Sequence, residues 1–231
     1  GKWKAELYTN DILKITFQPQ GYTHNENITG AVVLKSSPAQ STGNVLRAGK
    51  FSVTIKGNAV EIKKDKLILS ASYHASDEYK GFNFSMQPGE KIFGGGERAL
   101  PLNRRGYRFN LYNGPWYGYG EGADNLNYSV PFITSSNSYA LFFDNASKGY
   151  LDIGKSDADV LQYGAYSGEL NFYIITGKDY PQILQQFWKL TGTQPLPPRW
   201  AMGSFMTRFG YTSEKQAREI YQRMQEAAKS L

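Results

Sequence analysis

The chain has 231 residues, 40% apolar and 15% aromatic, which is enough for one large or two small domains with a substantial core. It has no cysteine and only two histidines, so we expect no disulfide framework, no metal site and no cofactor. The net charge of +6 comes from scattered lysines and arginines mixed with acidic residues, which argues against a nucleic-acid partner. No segment approaches the roughly 18 consecutive apolar residues of a membrane helix, so we expect no membrane partner.

Residues 1–178 are predicted to form a mainly β domain, an antiparallel β-sandwich. Apolar residues alternate with period two, and turn residues recur about every ten positions. Segment 51–73 is predicted to form a hairpin that turns at Gly57 and Asn58, followed by a third strand. Further strands are predicted in six short segments rich in Val, Ile, Phe or Tyr, namely DILKITFQP, GAVVLKS, FNFSMQ, SYALFFDN, GYLDIG and LNFYIIT.

Residues 179–198 are predicted to contain a helix and a proline-rich linker. Asp179 suits the N-cap, Pro181 suits the first turn, and Gly192 suits the end of the helix. The segment TQPLPP that follows contains three prolines, which remove amide donors and prevent regular structure. We therefore expect one helix after the strands and then a stiff linker.

Residues 199–231 are predicted to form one strand and one helix. The segment RWAMGSFM is typical of a buried strand, and Ser213 with Gln216 fits a capping box that begins a helix. The helix has one apolar stripe, formed by Ala217, Ile220, Tyr221, Met224 and Ala228. A single strand and helix have no parallel partner, so this unit is expected to belong to a larger sheet.

Four stretches resemble glycoside hydrolase family 31, the retaining α-glucosidases, α-xylosidases and related transglucosylases. They are KIFGGGERALPLNRRGYRF, YNGPWYGYGEGADNLNYSVPF, DYPQILQQFWKLTGTQPLPPRWAMG and RFGYTSEKQAREIYQRM. The resemblance implies a galactose-mutarotase-like sandwich, then the helix and linker, and then the first strand and helix of a (β/α)8 barrel. It also implies that both catalytic aspartates lie on later barrel strands, so we expect no catalytic residue here and no activity of this chain alone.

The acidic residues of the sandwich are predicted to have structural roles. Glu97 stands beside Arg98 and is expected to be ion-paired. Asp144, Asp157 and Asp159 are expected to form turns, because short acidic side chains accept hydrogen bonds from nearby backbone amides. None of them is therefore assigned to catalysis.

The loop YNGPWYGYGEGADN combines four aromatic residues with glycines, a composition that suits contact with a sugar. Sugars present C–H faces to aromatic rings and hydroxyls to amides, so the loop is predicted to line one wall of a glycan pocket. The predicted substrate-binding residues are Asn113, Trp116, Tyr117, Tyr119 and Arg208, the last by barrel geometry. In the family an aspartate commonly follows the loop asparagine, whereas Gly114 and Pro115 stand there here, which leaves hydrolysis and transfer to another sugar both open.

The expected partners are an α-linked oligosaccharide or glycoside and the remainder of the chain's own barrel. The alternatives are a stand-alone carbohydrate-binding sandwich and an α-transglucosylase parent. The N-terminal segment GKWKAELYTN lacks the charged and then apolar pattern of a leader. We expect that any export signal has been removed and that the protein is periplasmic or secreted.

Overall fold

The computed structural model describes residues 1–22, 29–114, 116–203, 205 and 209–229. The chain divides into two compact units, Gly1–Thr193 and Gln194–Leu231. Neither helix in the described part of the chain combines the length and the apolar character that a membrane span requires.

The described residues form sixteen strands, two α-helices and one 3₁₀ helix. Numbered in chain order, they are β1 Lys2–Thr9, β2 Ile12–Gln18, β3 Ser37–Pro38, β4 Gln40–Thr42, β5 Val45–Ala48, β6 Phe51–Lys56, β7 Ala59–Lys64, β8 Lys66–Ala75, β9 Lys80–Ser85, β10 Ile92–Gly96, β11 Tyr107–Leu111, β12 Ser129–Ser135, β13 Tyr139–Phe142, β14 Gly149–Ile153, β15 Val160–Ala165, β16 Asn171–Thr176, α1 Tyr180–Thr191, the 3₁₀ helix Arg199–Met202 and α2 Glu214–Lys229.

The strands form two sheets that pack as a sandwich, as the sequence predicted. One sheet has the strand order β10-β12-β13-β16-β2-β1-β3, and the other has the order β11-β14-β15-β9-β8-β7-β6-β5-β4. Neighbouring strands are antiparallel throughout both sheets. Aromatic rings join the sheets: Phe172 of β16 lies 4.9 Å from both Phe82 and Phe84 of β9, measured between ring centroids. The main core therefore lies between the sheets.

The hairpin predicted in segment 51–73 is confirmed. Strands β6 and β7 pair across the turn that begins at Gly57, whose φ is 63°, and β8 continues the sheet. Phe51, Val53 and Ile62 are buried, as their alternation required. Five of the six other predicted strands also form, as β2, β9, β13, β14 and β16.

The segment GAVVLKS is not a strand, and this prediction was wrong. The backbone N–H of Val33 donates to the carbonyl of Leu190 at the end of α1, at 2.9 Å, and not to a neighbouring strand. Ala31, Val32 and Leu34 pack against a second, smaller core on the outer face of the first sheet. The apolar residues of this segment are therefore buried by the helix, a role that period-two spacing does not distinguish from pairing in a sheet.

Helix α1 forms as predicted and covers the outer face of the first sheet. Asp179 caps it by accepting from the backbone N–H of Gln182 at 2.9 Å, and Gly192 follows its last turn with a φ of 79°. Ile183 and Leu190 are fully buried, and the ring of Phe187 stacks on Phe132 at 4.1 Å. This packing makes α1 part of the first compact unit.

The buried strand predicted for RWAMGSFM is not formed over Arg199–Met202, which is a 3₁₀ helix. The N–H groups of Ala201 and Gly203 bond to the carbonyls of Pro198 and Trp200, at 2.9 and 3.1 Å. A strand needs a partner for its amides, and where none is present local bonds satisfy them instead. The rest of this segment lies mostly outside the described residues.

Helix α2 begins near the predicted cap, with Ser213 Oγ accepting from the N–H of Gln216 at 3.2 Å. The Gln216 side chain accepts in turn from the N–H of Thr212 at 2.9 Å, one residue earlier than a capping box requires. No described residue of α2 is buried. The predicted apolar stripe is thus present on the helix but uncovered.

His74 of β8 gives the sandwich a predicted pH dependence. Its Nε2 lies 3.1 Å from the carbonyl oxygen of Tyr163, and burial lowers the pKa of His74 from its ordinary 6.5. Below pH 6.5 the unfolded chain therefore binds a proton that the folded chain resists, so stability is full above that pH and falls below it. Urea unfolding between pH 7 and pH 5 should show a larger loss of stability in the wild type than in His74→Gln, and equal losses would contradict the assignment.

Candidate functional site

The predicted sugar-contact loop is supported by a glycine bulge in β10. Gly94, Gly95 and Gly96 all have left-handed φ angles, of 104°, 86° and 94°, and the pairing of β10 with β12 shifts register between Gly94 and Gly96. A Cβ on Gly95 would lie 2.6 Å from the ring of Phe109, and one on Gly94 would lie 2.6 Å from the carbonyl oxygen of Phe132. The motif GGG therefore lets the backbone approach the core closely.

Arg98, immediately after the bulge, fastens the base of the loop. Its guanidinium donates to the carbonyls of Glu97 at 2.6 Å, Asn110 at 2.6 Å and Tyr128 at 3.3 Å, and to Ser129 Oγ at 2.8 Å. The side chain is only 7% exposed. Burial lowers the pKa of Arg98 to about 10, with repulsion from a neighbouring arginine as the next cause. The residue stays charged at neutral pH and joins the two ends of the loop.

Backbone hydrogen bonds close the loop above this base. The N–H of Gly114 donates to the carbonyl of Leu126 at 3.0 Å. The N–H of Ala99 donates to the carbonyl of Ala123 at 3.0 Å, and the carbonyl of Ala99 accepts from the N–H of Gly122 at 2.9 Å. Ala123 and Leu126 are buried beneath the loop. The lower part of the loop is therefore anchored to the sandwich.

The upper part of the loop presents its aromatic rings to solvent. Trp116 is 59% exposed and Tyr117 97% exposed, and Tyr119 and Tyr128 are also exposed. Neither Tyr119 nor Tyr128 is packed beneath the loop, since about half of each residue is accessible. Exposed aromatic rings on an anchored loop provide flat surfaces for a ligand.

Asn113 has a structural contact as well as an exposed position. Its Oδ1 accepts from the backbone N–H of Ser129 at 2.7 Å, which fixes the orientation of the amide and leaves Nδ2 without a partner among the described residues. The assignment of this residue, Trp116, Tyr117 and Tyr119 to substrate binding stays a prediction. Arg208, the fifth predicted residue, lies outside the described residues.

Glu97 is structural, but its partner is not the one predicted. Its carboxylate accepts from the backbone N–H of Asn127 at 3.0 Å and makes no ion pair within the described part of the chain. The neighbouring arginines bind carbonyls instead: Arg104 donates to Leu100 and Pro101 at 2.8 and 2.9 Å. The sequence could not predict that these arginines bond to backbone carbonyls, because every residue has a carbonyl and no residue type marks the acceptor.

The other carboxylates divide between turns and longer-range contacts. Asp157 accepts from the N–H of Asp159 at 3.1 Å, the turn that the sequence predicted. Asp144 accepts instead from the hydroxyl of Thr29, 115 positions away, and burial raises the pKa of Asp144. The described residues contain no group of three His, Cys, Asp or Glu side chains that could hold a metal ion.

The role of Arg98 predicts a large cost for a conservative change. Lysine keeps the charge but cannot reach four acceptors with one ammonium group, so Arg98→Lys leaves buried carbonyls unpaired. We expect a loss of about 2 to 4 kcal/mol in the free energy of unfolding, measured by urea titration. Arg108→Lys is a suitable control, since Arg108 is half exposed. Equal effects of the two changes would contradict the anchoring role.

Residues 2–152 match a family model described as the glycosyl hydrolase 31 N-terminal galactose mutarotase-like domain. Alpha-glucosidase 2 of Bacillus thermoamyloliquefaciens is 26% identical over 240 residues, a match that covers 95% of this chain and 30% of the relative. An alpha-glucosidase of Saccharolobus solfataricus is 33% identical over 139 residues, covering 59% of this chain and 20% of the relative. The chain thus spans less than a third of the length of these relatives.

Among solved structures, a family 31 dextranase of Flavobacterium johnsoniae, complexed with glucose, has a similar fold. The TM-score is 0.82 at 28% sequence identity, over 96% of this chain and 29% of the dextranase. A mutant of the same dextranase has been solved with isomaltotriose. The family model covers more than half of the chain and includes the strands from β1 to β13 and the glycine bulge. The chain therefore belongs to glycoside hydrolase family 31 and contains its N-terminal galactose mutarotase-like domain.

Proposed function

We propose that this chain is the substrate-contacting, non-catalytic N-terminal part of a retaining, exo-acting α-glucosidase-like enzyme. The sandwich contributes the aromatic loop, residues 112–128, to a glycan pocket whose other walls and catalytic aspartates belong to a barrel. Retaining hydrolysis requires two carboxyl groups about 5 to 5.5 Å apart, one as nucleophile and one as acid. The sandwich supplies neither, and its part is to bind and orient the sugar.

One observation carries this proposal: an anchored loop with accessible rings. Arg98 holds both ends of the loop from below, while Trp116 and Tyr117 are more than half exposed above. A free aromatic face accepts the C–H face of a sugar, and the anchored base limits the entropy lost on binding. The glucose and isomaltotriose complexes of the Flavobacterium johnsoniae dextranase support an α-glucan ligand class.

A stand-alone carbohydrate-binding sandwich is the second candidate. The observation in its favour is the exposure of Tyr117, which at 97% has no supporting wall among the described residues. A binding module uses such rings without any barrel. The two candidates differ in the affinity expected of the chain by itself.

Titration of the 231-residue chain with isomaltotriose separates them. One wall of a pocket buries little of the ligand, so we expect a dissociation constant of about 1 to 10 mM, equivalent to about 3 to 4 kcal/mol. A constant near about 10 µM would favour the stand-alone module. An absence of saturable binding at about 50 mM ligand, followed through backbone amide shifts, would remove sugar contact from the proposal.

A further inference from the structure

A separate cavity opens beside the base of the aromatic loop. Its volume is about 490 Å³, within the range of about 300 to 1,000 Å³ that is typical of small-molecule sites. Tyr112 and Asn113 line it from the start of the loop, Ser147 and Lys148 from the turn before β14, and Tyr163 from β15. All five residues belong to the first compact unit.

Tyr163 is a largely buried residue that lines the cavity. It is 2% exposed, and its ring stacks on Phe143 with centroids 4.0 Å apart. Its hydroxyl makes no hydrogen bond to any described residue, although the side chain lines the cavity. Burial raises the pKa of Tyr163, so the group stays protonated and able to donate. The hydroxyl oxygen is not enclosed by protein atoms, unlike Arg98 Nε, so water or a ligand in the cavity can bond to it.

Two further donors lie on the same cavity without partners among the described residues. Lys148 is exposed, and its ammonium group is in no ion pair or hydrogen bond. Asn113 has its Oδ1 committed to Ser129, which leaves the Nδ2 amide hydrogens available. The half-exposed ring of Tyr112 and the pyrrolidine of Pro131 add apolar surface. A few polar groups on a partly apolar wall are typical of small-molecule sites, and donors of this kind can bond to the hydroxyls of a sugar.

We propose that this cavity binds one glycosyl unit of an α-linked oligosaccharide, with Tyr163, Lys148 and Asn113 contacting its hydroxyls. The assignment rests on the proposed function for its ligand class and adds a subsite distinct from the rings of the loop tip. Asn113 belongs to both the cavity lining and the aromatic loop, so a bound oligosaccharide extends from the cavity to the loop. Occupation gives the Tyr163 hydroxyl a hydrogen-bond partner that the described residues do not supply.

Two variants of the 231-residue chain test the subsite by titration with isomaltotriose. Tyr163→Phe removes the hydroxyl and keeps the ring on Phe143, so we expect an affinity about 3- to 10-fold weaker, the equivalent of one hydrogen bond. Tyr150→Phe is the matched control, because its hydroxyl donates to Gln162 at 2.6 Å on the adjacent strand, outside the cavity. The control should bind as the wild type does. Equal affinity of the wild type and Tyr163→Phe would overturn the subsite.

Backbone amide shifts of the wild type separate this proposal from the broader one. Isomaltotriose should shift the amides of Ala146, Ser147 and Lys148 together with those of Trp116 and Tyr119. Shifts confined to the loop would overturn the cavity subsite and leave the proposed function intact. Shifts in the cavity with inorganic phosphate but not with isomaltotriose would identify an anion site and also overturn the subsite. The absence of any shift would overturn both proposals.

Discussion

Gly95→Ala is expected to destabilise the sandwich by about 2 to 6 kcal/mol. An L-residue at a φ of 86° has a backbone strain of about 1 to 3 kcal/mol, and its Cβ would lie 2.6 Å from the ring of Phe109. That ring is buried, so it must shift within a packed core, at a further cost of about 1 to 3 kcal/mol. Urea unfolding followed by far-UV circular dichroism measures the change.

Gly118→Ala is the matched control for this prediction. Gly118 lies in the aromatic loop with a φ of 72°, but a Cβ there would meet no atom of the described residues within 4 Å. It therefore reports backbone strain alone, and we expect a loss of about 1 kcal/mol. If the two alanine variants were equally stable, the close approach of the bulge to Phe109 would have no energetic importance.

Trp116→Ala is expected to weaken the binding of isomaltotriose about tenfold. A sugar covering one face of the indole ring removes about 60 Å² of apolar surface from water, and at about 25 cal/mol per Å² this is about 1.5 kcal/mol. That free energy corresponds to about a tenfold change in the dissociation constant. Titration calorimetry or amide shifts at millimolar ligand give both constants.

Trp188→Ala controls for the loss of an exposed tryptophan elsewhere. Trp188 is on α1 and is 50% exposed, close to the 59% of Trp116, but it is not part of the loop. Its removal should leave the affinity for isomaltotriose unchanged. A loss of affinity in this control equal to that in Trp116→Ala would show that the ligand does not select the loop.

The sequence was sufficient to predict those strands and helices that are determined by neighbouring residues, such as turn and cap residues. The hairpin of β6 and β7 followed from alternating apolar residues and from Gly57, and α1 followed from Asp179 and Gly192. The segment GAVVLKS has the same alternation but is bonded to Leu190, more than 150 positions away. Nothing within that segment distinguishes an edge strand from an irregular segment packed against a helix, so the strand prediction was wrong there.

The candidate site divides in the same way. Exposure of Trp116 and Tyr117 was predictable from a loop rich in aromatic residues and glycine. The four acceptors of Arg98 were not predictable, since they come from segments 1 to 31 positions away and three of them are backbone carbonyls. The cavity at Tyr163 was missed for a related reason. It combines residues from four separated segments, and a lone tyrosine in a strand is typical of an ordinary core.

The most direct test of a non-catalytic sandwich concerns two carboxylates, those of Asp144 and Glu169. Asp144 and Glu169 line a common cleft. The pKa of Asp144 is raised, mainly by burial and to a smaller extent by the negative charge of Glu169. A raised pKa is what a general acid requires. Each nevertheless has a structural partner: Glu169 accepts from Lys14 at 2.9 Å, and Asp144 accepts from Thr29. These contacts favour a structural role for both groups.

The deciding measurement is therefore the release of nitrophenol from 4-nitrophenyl α-glucoside by the 231-residue chain and by Asp144→Asn. The proposed function predicts that neither protein exceeds the rate without protein. Sustained turnover by the wild type that disappears in Asp144→Asn would contradict it, because the reactive carboxyl group would then lie in the sandwich itself.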